Sequence, residues 1–560
     1  MTEPDPTPAP ATDPDSTPGP VSQTASGTRS EPPRVSLLRA SGSMALASLV
    51  SRVTGFARQI ALVAALGLTV VNDSYTLANT LPNIIYELLL GGVLSSVMVP
   101  LLVRAQTEDD DGGQEYTRKL LTVATVVLTA ATVVAMLAAP LLTTLYMGSG
   151  GTTGTNTANP ALATAFALLL LPEIVFYGLG ALFGAILNTK GVFGPFAWAP
   201  VLNNLVMLAV LSVYLLLPGE VTADFTNPKL LLLGLGATLG IAVQALVLLP
   251  ALRRVGVRWR PRWGWDSRLS DAGWLALWVT GYVMVGQAGY LITTRVAFAA
   301  DPGSVATYTN AWLLLQVPYG VLGVSLLTVL LPRMSRSAAD GRLAELVSDL
   351  SLGARYSAVT LVPVTAMITV FGGSIGVALF SLGRSNADEA ARLGATMMWS
   401  AFGLLPFALV MLQLRVFYAM KDARTPTLIQ LLIVAAKIPM LLVCGLLLPP
   451  EQVVLGLAVA NALSFVVGAV VGQLWLYRRL GPLGTGAVLV TTAKTVLAAG
   501  LGGLAGFGVL HLLPSQGSPV GTAWLELGVG GLVEVLVTVA VLLALRLSEL
   551  APLMARLRSR

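Results

Sequence analysis

Charge is what this sequence is shortest of. Of its 560 residues only 11% are Asp, Glu, Lys or Arg, less than half the roughly 25% of an average soluble domain, and the mean hydropathy is +0.77. Cysteine is almost absent. A single Cys444 excludes a disulfide framework, a thiolate zinc site and haem attachment through paired cysteines. The one histidine, His511, lies at the end of an apolar run and reads as interfacial rather than catalytic. No G-x-x-x-x-G-K-[ST] loop is present to cradle a nucleotide phosphate. Any vectorial work must then draw on an ion gradient, the membrane potential or the asymmetry of the substrate itself, with no cofactor.

What fills the chain instead is apolar sequence. Runs near the roughly 20 residues that cross a bilayer as a helix recur from residue 36 almost to the end. Fourteen candidate spans can be placed between residues 36 and 546, so the expected fold is an all-α integral membrane protein. Residues 1–35 are rich in Pro, Thr, Ser and Asp, have no apolar period and read as a disordered tail rather than a signal peptide. Residues 1–33 hold five acids against Arg29, so the remaining body carries a net charge of +10 rather than the +6 of the whole chain. Basic residues at span ends report topology before nucleic acid, and no nucleic-acid partner is expected.

The loops alternate. One set carries Arg104, Arg118 and Lys119, then Lys190, then six arginines between Arg253 and Arg268, and continues through Arg333, Lys421, Arg478 and Arg479 to the basic tail at 549–560. The other set is nearly bare, broken only by Lys229, Arg384 and Arg392. Under the positive-inside rule this alternation puts both termini in the cytoplasm of a cell with a multi-pass plasma membrane protein, and an even number of spans follows.

A faint repeat divides the spans. PNIIYELLLGGVLSSVMVPLLVR (82–104) resembles PYGVLGVSLLTVLLPRMSR (318–336), with Pro100 and Pro332 separated by 232 residues. Lys190 and Lys421 are offset by 231. The expected organisation is an N-terminal lobe of helices 1–6 (36–254), a C-terminal lobe of helices 7–12 (268–480) and two extra helices (487–548). Because each lobe has an even number of spans, the lobes form a parallel repeat, an arrangement that commonly places a transporter's substrate near the midplane.

Against this apolar background a few polar residues stand out. Arg52 and Arg58 lie within the first span, six residues apart, hence within roughly 120° of each other on a helix. A cation at the centre of a bilayer costs roughly 2.5–3.5 kcal/mol on insertion scales and usually faces a wet, protein-lined cavity. Asp73 opens the second span; Asn79, Asn83 and Glu87 follow at i+4 spacing, and Pro82 is expected to kink the helix. Two alternatives stay open: the arginines bind an anion, or Arg58 pairs internally with Asp73 or Glu87 to fix packing. Arg295, on the repeat counterpart of the first span, either faces the same cavity or reaches the outer interface. Glu173, beside Pro172, is a candidate for proton or cation coupling, with Glu87 and Lys437 as further coupling or packing groups. Arg415 reads as a cation snorkelling to the nearby span end. Glycine pairs such as Gly91–Gly92 and Gly502–Gly503 read as close helix packing.

SRVTGFARQ (51–59), NDSYTLANTLPNIIYELLLGGVLSSVMVPLL (72–102), GAILNTKGVFGPFAWAPVLNN (184–204), VPYGVLGVSLLTVLLPRMS (317–335) and FYAMKDARTPT (417–427) together resemble the MurJ (MviN) family of bacterial lipid II flippases, within the multidrug/oligosaccharidyl-lipid/polysaccharide exporter superfamily. The resemblance runs in order from about 36 to 546 and omits the Pro-rich tail. It implies fourteen helices in two six-helix lobes around a cationic cavity, and a groove by the last two helices for a lipid tail. Carried over by motif, the family's essential arginines fall on Arg52 and Arg58, its second-span aspartate on Asp73 and its asparagine after the proline on Asn83. Three positions depart from the family pattern: Tyr86 and Leu313 stand where arginines are usual, and Gly91 where an acid is usual. Arg295 is the candidate replacement.

The resemblance implies a non-enzymatic function, export of lipid II for cell wall synthesis, with membrane lipids and other cell-wall synthesis proteins as further partners. Carrying its glycan-peptide headgroup through hydrocarbon unaided would strand many polar groups at several kcal/mol each. Guanidinium groups can instead grip the pyrophosphate through forked, charge-assisted bonds while the lobes alternate access. A polyprenyl-linked polysaccharide flippase, a cation-coupled multidrug exporter and a membrane scaffold are the competing readings.

Overall fold

The computed structural model describes residues 34–88, 98–148, 159–257, 260–264, 273–320, 324–513, 518–547 and 549. The acidic N-terminal tail, Gly91 and Gly92, Arg258, Arg268 and the basic tail from residue 550 lie outside these. Every regular element among the described residues is helical. The first half contains α1 (Arg34–Leu66), α2 (Val70–Leu88), α3 (Val99–Glu108), α4 (Gln114–Leu137), α5 (Ala139–Met147), α6 (Pro160–Leu170), α7 (Glu173–Thr189), α8 (Gly194–Leu216), α9 (Pro228–Leu246) and α10 (Leu249–Arg254). The second half contains α11 (Gly273–Phe298), α12 (Ser304–Pro318), α13 (Val324–Ala339), α14 (Leu343–Phe380), α15 (Ala387–Ser400), α16 (Leu404–Ala419), α17 (Arg424–Leu447) and α18 (Pro450–Leu480). Three more helices, α19 (Thr485–Leu512), α20 (Pro519–Leu525) and α21 (Gly531–Ala544), close the chain.

Eleven helical segments among the described residues are long and apolar enough to cross a membrane. They coincide with eleven of the fourteen expected spans; the second, seventh and eighth correspond to α2 with α3, α11, and α12 with α13. α14 runs for 38 residues, about 57 Å at 1.5 Å per residue, and must project beyond a hydrocarbon core of about 30 Å. The termini of the spans have local causes. On the arginine-poor face, where loops lack cations, neutral polar side chains cap the helices: Asn159 accepts from Leu162 N, Asn227 from Lys229 N and Leu230 N, Asn386 from Glu389 N, and Ser518 from Gly521 N.

The packing repeats as the sequence offset requires. α1 lies on α8 as α11 lies on α17; α8 lies on α9 as α17 lies on α18; α2 meets α6 as α12 meets α15; α7 meets α9 as α16 meets α18. The last pair joins the second lobe through α14, which packs along α19, and α19 packs along α21.

The apolar cores follow the same division by face. On the arginine-poor face one continuous cluster joins the lobes, with Leu62, Leu66, Phe166 and Leu230 from the first and Phe298, Val305, Leu441 and Val454 from the second. A second shared cluster packs Val63 and Leu68 against Ala306, Phe380 and Leu393. On the arginine-rich face the cores are separate: Leu102, Tyr116, Phe183 and Leu252 belong to the first lobe alone, and Met334, Leu350, Phe417 and Leu476 to the second alone. Among the described residues the lobes therefore share a core at one face and have separate cores at the other.

Candidate functional site

The lobes meet through α2 against α11 and α12, α5 against α11 and α1 against α14, and α1 also reaches α12 at separate points. Leu68, just beyond α1, lies against Gly303; Gln59 Nε2 donates to Asn310 Oδ1 at 2.6 Å; and Arg52 lies against Gly320. These points span 16 residues of α1, about 24 Å of helix. α2 runs beside α11, with the Thr80 hydroxyl 3.4 Å from Tyr290 Oη and Gln287 Nε2 donating to Glu87 Oε2 at 3.1 Å.

The arginine-poor end of this seam is closed by backbone contacts. The Asp73 carboxylate accepts from Gly303 N at 2.8 Å and from Ala306 N at 2.7 Å, so a first-lobe acid caps the N-terminus of second-lobe α12. Asp73 is 3% exposed. Gly303 makes the approach possible: its φ is +79°, and a Cβ there would stand 1.9 Å from the Leu68 carbonyl oxygen. Arg384 N donates to Ala64 O at 2.9 Å. Arg295 belongs to the same seam: its Nε donates at 2.6 Å to the carbonyl of Leu145 near the end of α5. Of the two places open to it, Arg295 takes the one near the arginine-poor end rather than one beside Arg52 and Arg58, because it sits one turn from that end of α11 and finds a helix-terminal carbonyl there. Asp73 likewise is engaged with backbone rather than with an open cavity. The three cations that interrupt the bare loops have structural partners. Arg392 pairs with Asp301, Arg384 bonds Tyr214 across the lobes, and Lys229 Nζ donates to Gly219 O at 2.9 Å.

Deeper in the seam the cations are arranged differently. Arg52 is exposed, and its guanidinium lies over the backbone at Gly320, where α12 ends in a wide, π-type turn at Tyr319 and Gly320. Asn204 of α8 fixes this part of α1: its Nδ2 donates to Ser51 O and Thr54 Oγ1, both at 3.1 Å. Arg58 is half-buried, and its charge acts on Glu173 of α7 and on Tyr75 and Tyr177 of the first lobe. Glu173 is 1% exposed, and neither carboxyl oxygen has a hydrogen-bond partner. Arg58 therefore has an acid in its neighbourhood, but it is Glu173 rather than Asp73 or Glu87. Asn83 donates to the Asn79 carbonyl of its own helix at 2.8 Å. Lys437 is buried between α17 and α12, donates to Tyr308 Oη at 3.3 Å and takes no part in the group around Arg52.

Sequence reasoning passed over Gln59 and Asn310 and read Arg415 only as a snorkelling cation. Arg415 is exposed on α16, and its charge acts on Tyr282, Tyr319 and Tyr418; Tyr319 adjoins the Gly320 backbone under Arg52. Arg52 of the first lobe thus touches the turn at 319–320, and the charge of Arg415 of the second lobe reaches it through Tyr319. Gln59 and Asn310 form the mid-seam bond. The available signal was polar residues within apolar helices, which need partners in a membrane; the positive-inside pattern hid Arg415. Among the described residues no cluster of His, Cys, Asp and Glu could hold a metal ion. The arrangement offers exposed guanidinium groups for an anion at the foot of a seam closed at its far end.

The family model for lipid II flippase MurJ matches residues 62–527. Among similar proteins, a probable lipid II flippase MurJ from Haemophilus influenzae is 28% identical over 449 residues, covering 77% of this chain and 84% of the relative. The lipid II flippase MurJ of Burkholderia cenocepacia is 28% identical over 390 residues, covering 68% and 72%. A solved structure of lipid II flippase MurJ in an inward closed conformation superposes with a TM-score of 0.71 at 18% identity, covering 90% of this chain and 99% of that one. An inward-facing multidrug resistance MATE family transporter of the MOP superfamily superposes at 0.62 with 16% identity, covering 77% and 95%. These two likenesses describe the fold. The match over 62–527 spans most of both lobes and the seam between them, and the chain belongs to the lipid II flippase MurJ family.

Proposed function

We propose that this protein moves lipid II from the cytoplasmic to the outer leaflet of the bacterial plasma membrane by alternating access between its lobes, with the arginine-rich face in the cytoplasm. The observation that carries this reading is the division of the apolar cores, fused across the lobes on the arginine-poor face and separate on the other. Lobes joined in this way can part on the arginine-rich side without exposing the shared core. Arg52 and Arg415 lie at the foot of the seam, where an anion entering from that side would meet them. Their planar guanidinium groups suit the two phosphates of a pyrophosphate, and Arg58 lies one and a half turns further in. The buried Asp73 cap then opens when the substrate leaves toward the arginine-poor face. An inside-negative potential assists outward movement of an anion by about 2.3 kcal/mol per charge per 100 mV. An exporter of organic cations on this scaffold would require exposed acids where Arg52 and Arg415 stand.

The test is depletion of the protein followed by measurement of lipid II exposed on the outer leaflet. Complementation with Arg52→Ala or Arg58→Ala is expected to leave the protein inserted and lipid II retained inside, with the lysine variants restoring export only in part. Unchanged exposure after depletion would refute the assignment. Loss of a different polyprenyl-linked glycan from the outer leaflet would move it to that substrate.

A further inference from the structure

A second cationic site lies away from the seam, on the arginine-rich face of the first lobe. α10 ends at Arg254 and the chain reverses through Gly256, whose φ of +83° gives it the left-handed conformation of the turn. Residues 260–264 then cross the start of α4 as a strap. The strap is pinned: Arg262 N donates to Thr122 Oγ1 at 2.9 Å, the Arg262 side chain stands 3.7 Å from Glu115, and Gly264 lies on the Lys119 stem. Glu115 is also bonded to Lys119 at 2.9 Å, so both cations share its carboxylate. Between the strap, α10 and α4 with α7 remains a hollow of about 620 Å³.

The hollow has two distinct parts. Its floor is apolar, made by Leu121, Phe183 and Leu252 of the first-lobe core. Its rim carries Arg253 and Arg260, both exposed. Neither has an acidic partner among the described residues, whereas Arg262 and Lys119, a few residues away, share Glu115. Cations that only reported topology would require no shaped cavity, and cations that only pinned the strap would be paired like Arg262. An apolar floor beneath two free guanidinium groups, at the level where spans end, is complementary to a phosphate on a hydrocarbon stem. The volume falls within the range of small-molecule sites.

We propose that this hollow is a binding site for an anionic glycerophospholipid, its headgroup phosphate held by Arg253 and Arg260 and its first acyl carbons on Leu249, Val257 and Pro261, above the buried Leu121, Phe183 and Leu252. The lipid would fill the gap between strap and lobe and bind the α10 turn to the membrane surface. The site is independent of the substrate reading, since it shares no residue with the seam.

The test is native mass spectrometry of the full-length protein, purified and exposed to equal amounts of phosphatidylglycerol and phosphatidylcholine with matched acyl chains. The wild type is expected to retain phosphatidylglycerol with a preference of about thirtyfold, the scale on which two basic groups act on an anionic headgroup at an interface. Arg253→Gln with Arg260→Gln should reduce the preference to near unity. Arg253→Lys with Arg260→Lys, which keeps the charge and spares the fold, should keep most of it, and Arg104→Gln, paired with Glu108 on the same face, should leave it unchanged. Persistence of the preference in the double glutamine variant, or an equal fall in Arg104→Gln, would overturn the site. Displacement of the lipid by soluble glycerol phosphate would also overturn it, since a phosphate alone would then suffice.

Discussion

The Asp73 cap gives the sharpest handle on how the lobes are held. Two buried backbone N–H groups of the second lobe donate to this one carboxylate, at 2.8 and 2.7 Å. Hydrogen bonds to a charged group are worth about 1.5–3 kcal/mol each. In Asp73→Ala both donors lose their acceptor while the seam is closed, but find water when it opens. At the low end of that range the closed state loses about 3 kcal/mol relative to the open one, a change on the order of 100-fold in their ratio. Asp73→Asn keeps one acceptor oxygen and should fall between. The assay is a distance distribution between spin labels at Asp224→Cys and Asp388→Cys, both on the arginine-poor face, in a Cys444→Ser background. The alanine variant is expected to gain a longer-distance population that is minor in the parent. Identical distributions in parent and alanine variant would show that the cap does not hold the seam, and the closure described here would need another cause.

Three further outcomes are expected. Gly303→Ala adds a Cβ 1.9 Å from Leu68 O at a φ of +79°, so it should lengthen the same label distance at least as much as Asp73→Ala; an unchanged distance would show that this turn can move aside. Arg415→Gln should reduce lipid II export while the variant still inserts, with Arg415→Lys partly restored; full activity in the glutamine variant would confine the cationic site to the first lobe. Asp422, in the turn after α16, is partly buried, which raises its carboxyl, but bonds from Thr425 N and Oγ1 and the pair with Arg479 outweigh this and leave it below the usual range. Its stabilising effect is complete above the unfolded carboxylate value of about 4 and disappears as pH falls through the folded value. Asp422→Asn should therefore lower the thermal midpoint of the solubilised protein at pH 7, and the gap to wild type should close in acid; a gap independent of pH would contradict this.

Much of the fold is legible in the sequence because the membrane simplifies the problem. A span must be long and apolar, so length and hydropathy locate it, and the 231-residue offset between Lys190 and Lys421 foretells that α8 on α9 recurs as α17 on α18. The site is less legible, because the sequence places a charge on a span without fixing its rotation or its partner. Arg52 and Arg58 share a side of α1, yet one reaches the second lobe at Gly320 and the other faces Glu173 within the first. Asp73 is polar at a span start whether it binds substrate or caps α12, and only the approach of Gly303 decides which it does in this conformation. Arg295, left open between cavity and interface, and Arg415, read as snorkelling, show the same limit: the depth of each was readable, but not which groups lay opposite.

The placement of Arg52 has an energetic consequence for transport. α1 touches α12 at points spread along the seam, from the Leu68 carbonyl through Gln59 to the turn at Gly320, while α2 packs more extensively against α12. A ligand can shift a conformational equilibrium only by as much as it binds one state better than the other. A diphosphate held at the centre of one lobe would bind both states alike and shift nothing. In the proposed reading a diphosphate held by Arg52 and Arg415 would bridge the lobes, and its affinity would change when the lobes slide or part. Binding energy gained at the arginine-rich end thus acts on the same two helices whose far ends Asp73 joins. Loading the cavity and releasing the cap then become two ends of one equilibrium, and a substrate lacking the second phosphate would be expected to bind without moving it.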